Sequence, residues 1–279
     1  MNRKTKRIKS HFPLLLGMAA LLSLTVHSCT DYGSEFTDAG FKAQSHEYDG
    51  TIYEYLSEGD AGLGLRFDSV LMVIDGIPGR KEMLSEPGAE YTFFAAPDEC
   101  FRATINNLNR VRDVASKSRM TFADLLIEPF TVVDTIIREI DISGVTYYDT
   151  TYNFRHYDYR KQLDSILCRY IFDGLYSFDT IAANPRGVEP ECYNYKLKMN
   201  IESFRQTSSG VINSGQKRII YSDMNESKLT SDWLRSATLN IDIKTKNGII
   251  HVLSTGHEFS FDDFIYRFKN YGNEYIKQE

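Results

Sequence analysis

Leu239 to Leu253 read LNIDIKTKNGIIHVL. Leu239, Ile241 and Ile243 alternate with Asn240, Asp242 and Lys244, the two-residue period of a strand with one buried face. Asn247 and Gly248 both tolerate positive φ, so the chain can reverse there and return as the apolar strand Ile249, Ile250, Val252 and Leu253. The pattern predicts a β-hairpin near the end of a domain.

Working outward, an upstream strand, Tyr91 to Ala95, runs into Pro97-Asp98-Glu99, where proline in the first turn and acids at the positive end of the dipole open a helix. Phe94 and Phe101 are the expected buried residues of this corner. Together these two segments carry a specific resemblance. Asp242-Ile243 through Asn247-Gly248 to His251-Val252 resembles the closing motif of the fasciclin (FAS1) domain, and Phe93-Phe94-Ala95-Ala96-Pro97 to Phe101 resembles that family's upstream signature. It covers roughly residues 50–256. It implies an α+β fold, a FAS1-like β-sandwich wedge with packed helices, in which Phe94, Ala95, Pro97, Phe101, Asn247, Gly248 and His251 are structural and the corner packs on the closing hairpin. It also implies adhesion or the binding of surface molecules. In animal relatives an Asp-Ile pair before the turn is adhesive, and it maps onto Asp242 and Ile243; the alternation makes Ile243 a core candidate as well. Where the family commonly has Tyr-His, this chain has Tyr170-Ile171, so any function built on that histidine is in doubt.

At the N-terminus, Arg3, Lys4, Lys6, Arg7 and Lys9 precede the apolar run Phe12 to Val26, and Ser28 stands before Cys29. That order predicts an export leader, and the run is shorter than the about 20 apolar residues needed to span a bilayer. Val26-His27-Ser28-Cys29 resembles a bacterial lipobox, which implies that residues 1–28 are removed and Cys29 is acylated. An ordinary secretory leader holding a cysteine is the alternative. Acyl chains contribute about 0.8 kcal/mol per buried methylene, enough together to hold a domain on a membrane. Residues 29–49, polar and acidic, suit a flexible tether. Asp31 and Glu35 faintly resemble the acidic tract of surface-exposed lipoproteins of the Bacteroides group. The expected location is the cell envelope, at the outer membrane, on either its periplasmic or its surface face.

The remainder, 50–279, reads as one domain, since there is one set of motifs and no internal repeat. Thr51 to Glu54 has a capping-box pattern, with Tyr53 and Leu56 inward; Phe67, Val70, Leu71 and Ile74 have helical spacing. Residues 106–161 form an insertion. Within it Val132, Val133, Ile136, Ile137 and Ile140 predict a packed helix. Thr146 to Arg160 crowds Tyr147, Tyr148, Tyr152, Tyr157 and Tyr159 among polar residues, either as an exposed recognition loop or as a β-excursion covering the domain's own core. Tyr193 to Ile201 alternates as a strand, with further strands at Gly210 to Ile212 and Lys217 to Tyr221. Ser260 and Asp263 resemble the capping pair of a C-terminal helix over 260–276.

The formal net charge of −6 becomes more negative once the basic leader is gone. Such a surface argues against nucleic acid. Among the six histidines, His251 reads as a neutral core residue and His257-Glu258 lacks any zinc spacing. There is no G-x-S-x-G, P-loop or G-x-G-x-x-G. Asp262 and Asp263 fit a helix start better than a glycosidase pair. Cys100, Cys168 and Cys192 are expected as buried thiols, one disulfide plus a free thiol being the other possibility. No cofactor, metal or catalytic residue is expected. The partners expected are a membrane, through Cys29, and a protein or glycan ligand. The functional expectation is a non-enzymatic envelope adhesion or binding lipoprotein; the alternative is an accessory subunit of an envelope complex such as a nutrient-uptake system.

Overall fold

The computed structural model describes residues 47–207 and 215–271. The leader, Cys29, most of the tether, the strand expected at Gly210 to Ile212 and the last part of the expected C-terminal helix lie outside them.

The described chain is α+β. Three short helices come first: α1 (Ile52–Glu58), α2 (Asp68–Gly76) and α3 (Arg80–Ser85). The strand β1 (Tyr91–Ala95) leads through Pro97 into α4 (Asp98–Val114). The strands β2 (Phe130–Ile142) and β3 (Val145–Tyr157) form a hairpin of their own, followed by α5 (Tyr159–Leu167), β4 (Ile171–Asp173) and α6 (Phe178–Ala182). The strands β5 (Met199–Arg205), β6 (Lys217–Asp223), β7 (Leu234–Thr245) and β8 (Gly248–Leu253), then α7 (Asp263–Phe268), complete it.

Six strands make one sheet in the order β4-β1-β8-β7-β6-β5. The first signature strand lies parallel to the last strand of the closing hairpin, with Phe93 opposite Ile250 and Phe94 opposite His251. The sheet curls over on itself. In a flat sheet β1 and β6, three positions apart, would be separated by about 14 Å, yet the rings of Phe94 and Tyr221 stack with centroids 4.5 Å apart. Irregularities in β7 between Thr238 and Ile243, including Asp242 at φ 55°, produce the bend, because a bulge raises local twist. The first four residues of β7 pair with β6, and Thr238, Asn240 and Ile243 to Thr245 pair with β8. The core thus lies inside the curl and against the helices: Phe101 stacks on Phe259 at 4.1 Å, and Phe259 on Tyr170 at 5.2 Å.

Several local expectations hold. Thr51 and Glu54 form a full capping box, and Phe67, Val70 and Ile74 are buried. Tyr53 instead sits half-buried with its hydroxyl donating to Asp75. Other expectations need correction. Val132 to Ile140 form a strand, β2, because the run is β-branched and Ser143-Gly144 supplies a two-residue turn with φ 56° and 79° that returns it antiparallel. The alternation from Tyr193 is broken by Asn194 and Lys196 at positive φ, in a turn closed by the Lys196 N–H donating to the Cys192 carbonyl. Only Met199 onward is strand. The closing turn is made by Lys246 and Asn247, since Thr245 pairs with Gly248. In the described C-terminal region the helix runs only Asp263–Phe268, with no side-chain cap. Ser260 is left-handed, and Asp263 is engaged by Arg267 and Arg169.

Candidate functional site

The hairpin β2–β3 is paired along its whole length, from Phe130 opposite Tyr157 to Ile142 opposite Val145. Its foot is fixed to the domain. Phe130 stacks on Tyr157 at 5.4 Å and Tyr157 on Tyr159 at 6.1 Å. An Asp134–Arg155 ion pair of 2.7 Å joins the strands, and the Thr131 hydroxyl meets His156 Nδ1 at 2.6 Å. Beyond the foot the side chains stand in solvent.

Opposed residues of an antiparallel pair share a face. One face carries Ile136, Ile140, Tyr147, Ile142 and Val145, and the other Val133, Phe154, Tyr152, Ile137 and Tyr148. Every one of these is exposed; Ile137 is 62% exposed, Tyr148 65% and Phe154 60%. A two-stranded ribbon with an apolar set on both faces and unpaired outer edges has surface that folding of this chain leaves uncovered.

The structure places the tyrosines in three environments. Tyr147, Tyr148 and Tyr152 are exposed, Tyr157 is half-buried at the foot, and Tyr159 is a core residue 4.8 Å from the Tyr271 ring. Tyr159 is therefore part of the core and not of a binding surface. The Asp158 carboxylate accepts from the Lys161 N–H and caps α5, so the strand ends at Tyr157 and Tyr159 turns inward. The excursion is β, but most of its tyrosines do not cover the core. Asp242 and Ile243 are also architectural. The Asp242 carboxylate accepts from the Phe178 N–H at 2.8 Å, and Ile243 is fully buried.

The motif residues gather at the β1–β8 junction. Asn247 Oδ1 accepts from the Ile52 N–H and its Nδ2 donates to the Leu84 carbonyl, both at 2.8 Å, tying the closing turn to α1 and α3. Gly248 has no room for a side chain, because a Cβ would lie 2.1 Å from the Tyr91 carbonyl oxygen. His251 Nδ1 accepts from the Asp242 N–H at 3.2 Å and its Nε2 faces the Tyr176 carbonyl at 2.9 Å. Both ring nitrogens are used by the neutral form, and burial pushes the pKa below its usual 6.5. Phe94, Ala95 and Phe101 are buried, and Pro97 is the N-cap of α4.

Sequence reasoning missed three polar features. The Tyr170 hydroxyl accepts from the Ser260 N–H at 2.6 Å and meets His257 Nε2 at 2.7 Å; burial lowers the His257 pKa to about 3. These two partners lie 87 and 90 residues from Tyr170 in sequence, so no spacing announces them. Arg80 and Asp164 form a two-point ion pair at 2.5 and 2.8 Å, also reached by the Tyr195 hydroxyl. The third is a surface cleft bordered by Trp233, Tyr266 and the ion pairs of Arg169 with Asp223 and Asp263.

Cys100, Cys168 and Cys192 are buried free thiols. Burial pushes the Cys100 pKa up to about 12 and raises the other two, which keeps the thiols protonated and poor nucleophiles. Among the described residues no three His, Cys, Asp or Glu side chains are grouped to hold a metal, and no helix is long and apolar enough to cross a membrane.

No family model matches the chain, and none of the curated proteins does. Among solved structures it is similar to a FAS1 domain pair from the insect cell adhesion molecule fasciclin I, at 12% identity and a TM-score of 0.46 over 77% of this chain and 52% of that chain. The chain thus spans about half the length of that structure.

Proposed function

We propose that this protein is a fasciclin-like, non-enzymatic binding or adhesion lipoprotein of a bacterial envelope, held by acylated Cys29, with β2–β3 as the element that engages a partner. The anchor and the location rest on the sequence Val26-His27-Ser28-Cys29 and the basic and apolar segments before it. The observation that carries the binding role is the hairpin, with apolar and aromatic side chains on both faces and nothing of the described chain packed over them. Aromatic rings with polar tips supply contact area at small entropic cost, as binding surfaces require. Tyr170 with His257, Asp164 with Arg80 and His251 with the Tyr176 carbonyl are buried groups engaged with one another or with backbone, which supports an architectural rather than a catalytic reading of them.

Capture from envelope and host-matrix fractions tests this, comparing the intact protein with a variant in which residues 131–156 are replaced by an Asn-Gly turn. Loss of capture in the folded variant is the expected result, and equal capture removes the hairpin from the account. The second reading, an accessory subunit of an envelope complex, draws on the hairpin having two apolar faces, which a permanent partner would cover. Crosslinking in whole cells separates the two. One stoichiometric envelope partner favours the accessory subunit, and capture of external molecules favours adhesion. Protease shaving of intact cells reports the face of the membrane.

A further inference from the structure

The cleft bordered by Trp233 and Tyr266 is separate in its chemistry from the hairpin. We propose that it is a binding groove for a neutral oligosaccharide chain.

Its size is the first argument. The cleft encloses about 1520 Å³, more than the roughly 300–1,000 Å³ of a pocket for one small molecule. A second recess of about 490 Å³ shares Leu197 and Arg267 with it and continues to Asp158 and Lys161, just after β3. The two recesses adjoin across Leu197 and Arg267, and the volume of the first alone fits a chain of repeating units better than a compact ligand.

Its aromatic residues are the second. Trp233 Nε1 donates to the Ser227 carbonyl at 2.8 Å, and the Arg235 guanidinium lies over the ring 5.6 Å from its centroid. The indole is thus held in place, with one face covered by Arg235. Tyr266 is 73% exposed beside the same cleft although it lies on a helix whose Phe264 and Phe268 are buried. The C–H faces of a pyranose ring are apolar and its rim is hydroxylated, so a sugar matches a fixed ring flanked by planar charged groups.

Charge separates this ligand from others. Cationic and anionic side chains line the cleft in equal number, including Lys196 and Lys198 against Glu189 and Glu202. That parity gives no net pull on a polyanion, while carboxylates and guanidinium groups both bond hydroxyls. A peptide added as a strand needs an open sheet edge. Here the outer edge of β5 and the residue before it are bridged, Ile201 to Val188 and Lys198 to Glu191.

Trp233 is the chain's single tryptophan, so its emission reports on the cleft directly. The purified protein is titrated with neutral glucan, mannan, xylan and galactan oligosaccharides, with heparin and polygalacturonate fragments of equal length as charged controls. A saturable emission shift with a neutral chain is expected, tighter for a hexasaccharide than for a disaccharide. Tyr266→Ala is expected to weaken it about tenfold without lowering the unfolding temperature, since that side chain is largely exposed. The variant lacking residues 131–156 is expected to bind the sugar as well as the intact protein, so failure of the cleft and failure of the hairpin give different results. No shift with any neutral chain, a shift with charged chains alone, or unchanged affinity in Tyr266→Ala overturns the proposal.

Discussion

The hairpin closed by Lys246-Asn247 and the hairpin closed by Ser143-Gly144 are both rich in β-branched side chains and both reverse through two residues, and only the second adds Phe and Tyr rings. In the first, all six residues of β8 are buried, and the turn is hydrogen-bonded to segments near Gly50, Leu84 and Gly88. In the second, the residues from Thr135 outward to the turn are exposed on both strands, and long-range contact is confined to the foot. Composition makes a strand in both cases. What separates a core hairpin from a displayed one is the set of distant segments that arrive to cover it.

The sharpest way to break this contrast is Gly248→Ala. A Cβ 2.1 Å from a backbone oxygen leaves no rotamer by which to escape, so β1 and β8 must part. A loss of about 3 kcal/mol or more is expected in urea unfolding; a loss below about 1 kcal/mol would mean that the junction is loose. Asn247→Ala comes next. It strands the buried Ile52 N–H and Leu84 carbonyl, at an expected cost of about 2–3 kcal/mol.

Acid probes the same body. The His257 pKa of about 3 lies below the unfolded value near 6.5, so the unfolded chain binds a proton first as pH falls. Stability is fully present above about pH 6.5, is lost through that window, and levels off below about pH 3. His257 alone contributes a loss of about 2 kcal/mol between pH 6.5 and 4.5, and buried His251 adds in the same direction. In His257→Gln the pH dependence between those values should flatten; an unaltered slope contradicts the assignment. Smallest is the effect on stability of replacing residues 131–156 by an Asn-Gly turn. Phe130 and Tyr157 are already paired, so the ends need no rearrangement, and a change within about 1 kcal/mol is expected. Global unfolding of that variant would show that the displayed hairpin supports the body.

Much of the body was legible in the sequence because its signals are local. Thr51 with Glu54, the strand Tyr91–Ala95 and the proline-led helix each announce themselves within a few residues, whereas the alternation in β7 gives the strand but not its faces, since the irregular register buries Asn240 and leaves Leu239 half-buried. The displayed hairpin was half legible. Val132, Val133, Ile136, Ile137 and Ile140 satisfy helical spacing, and only their β-branching and the Ser143-Gly144 turn favour strand. Tyr159 was misplaced because the cap at Asp158, which ends the run of exposed tyrosines, is itself a single residue. The cleft was not legible at all. Trp233, Tyr266 and Arg169 come from three distant segments, and no periodicity links them.

The central claim is that the β1–β8 junction holds one cooperative body while β2–β3 is carried outside it. Residue-resolved hydrogen exchange on the intact protein tests this most directly. Amides of Phe93, Phe94, Ile250 and Val252 are expected to exchange together at the slowest rate, while those of Ile136 and Thr151 exchange orders of magnitude faster. Junction strands that exchange independently of each other, or a hairpin protected as strongly as they are, would contradict it.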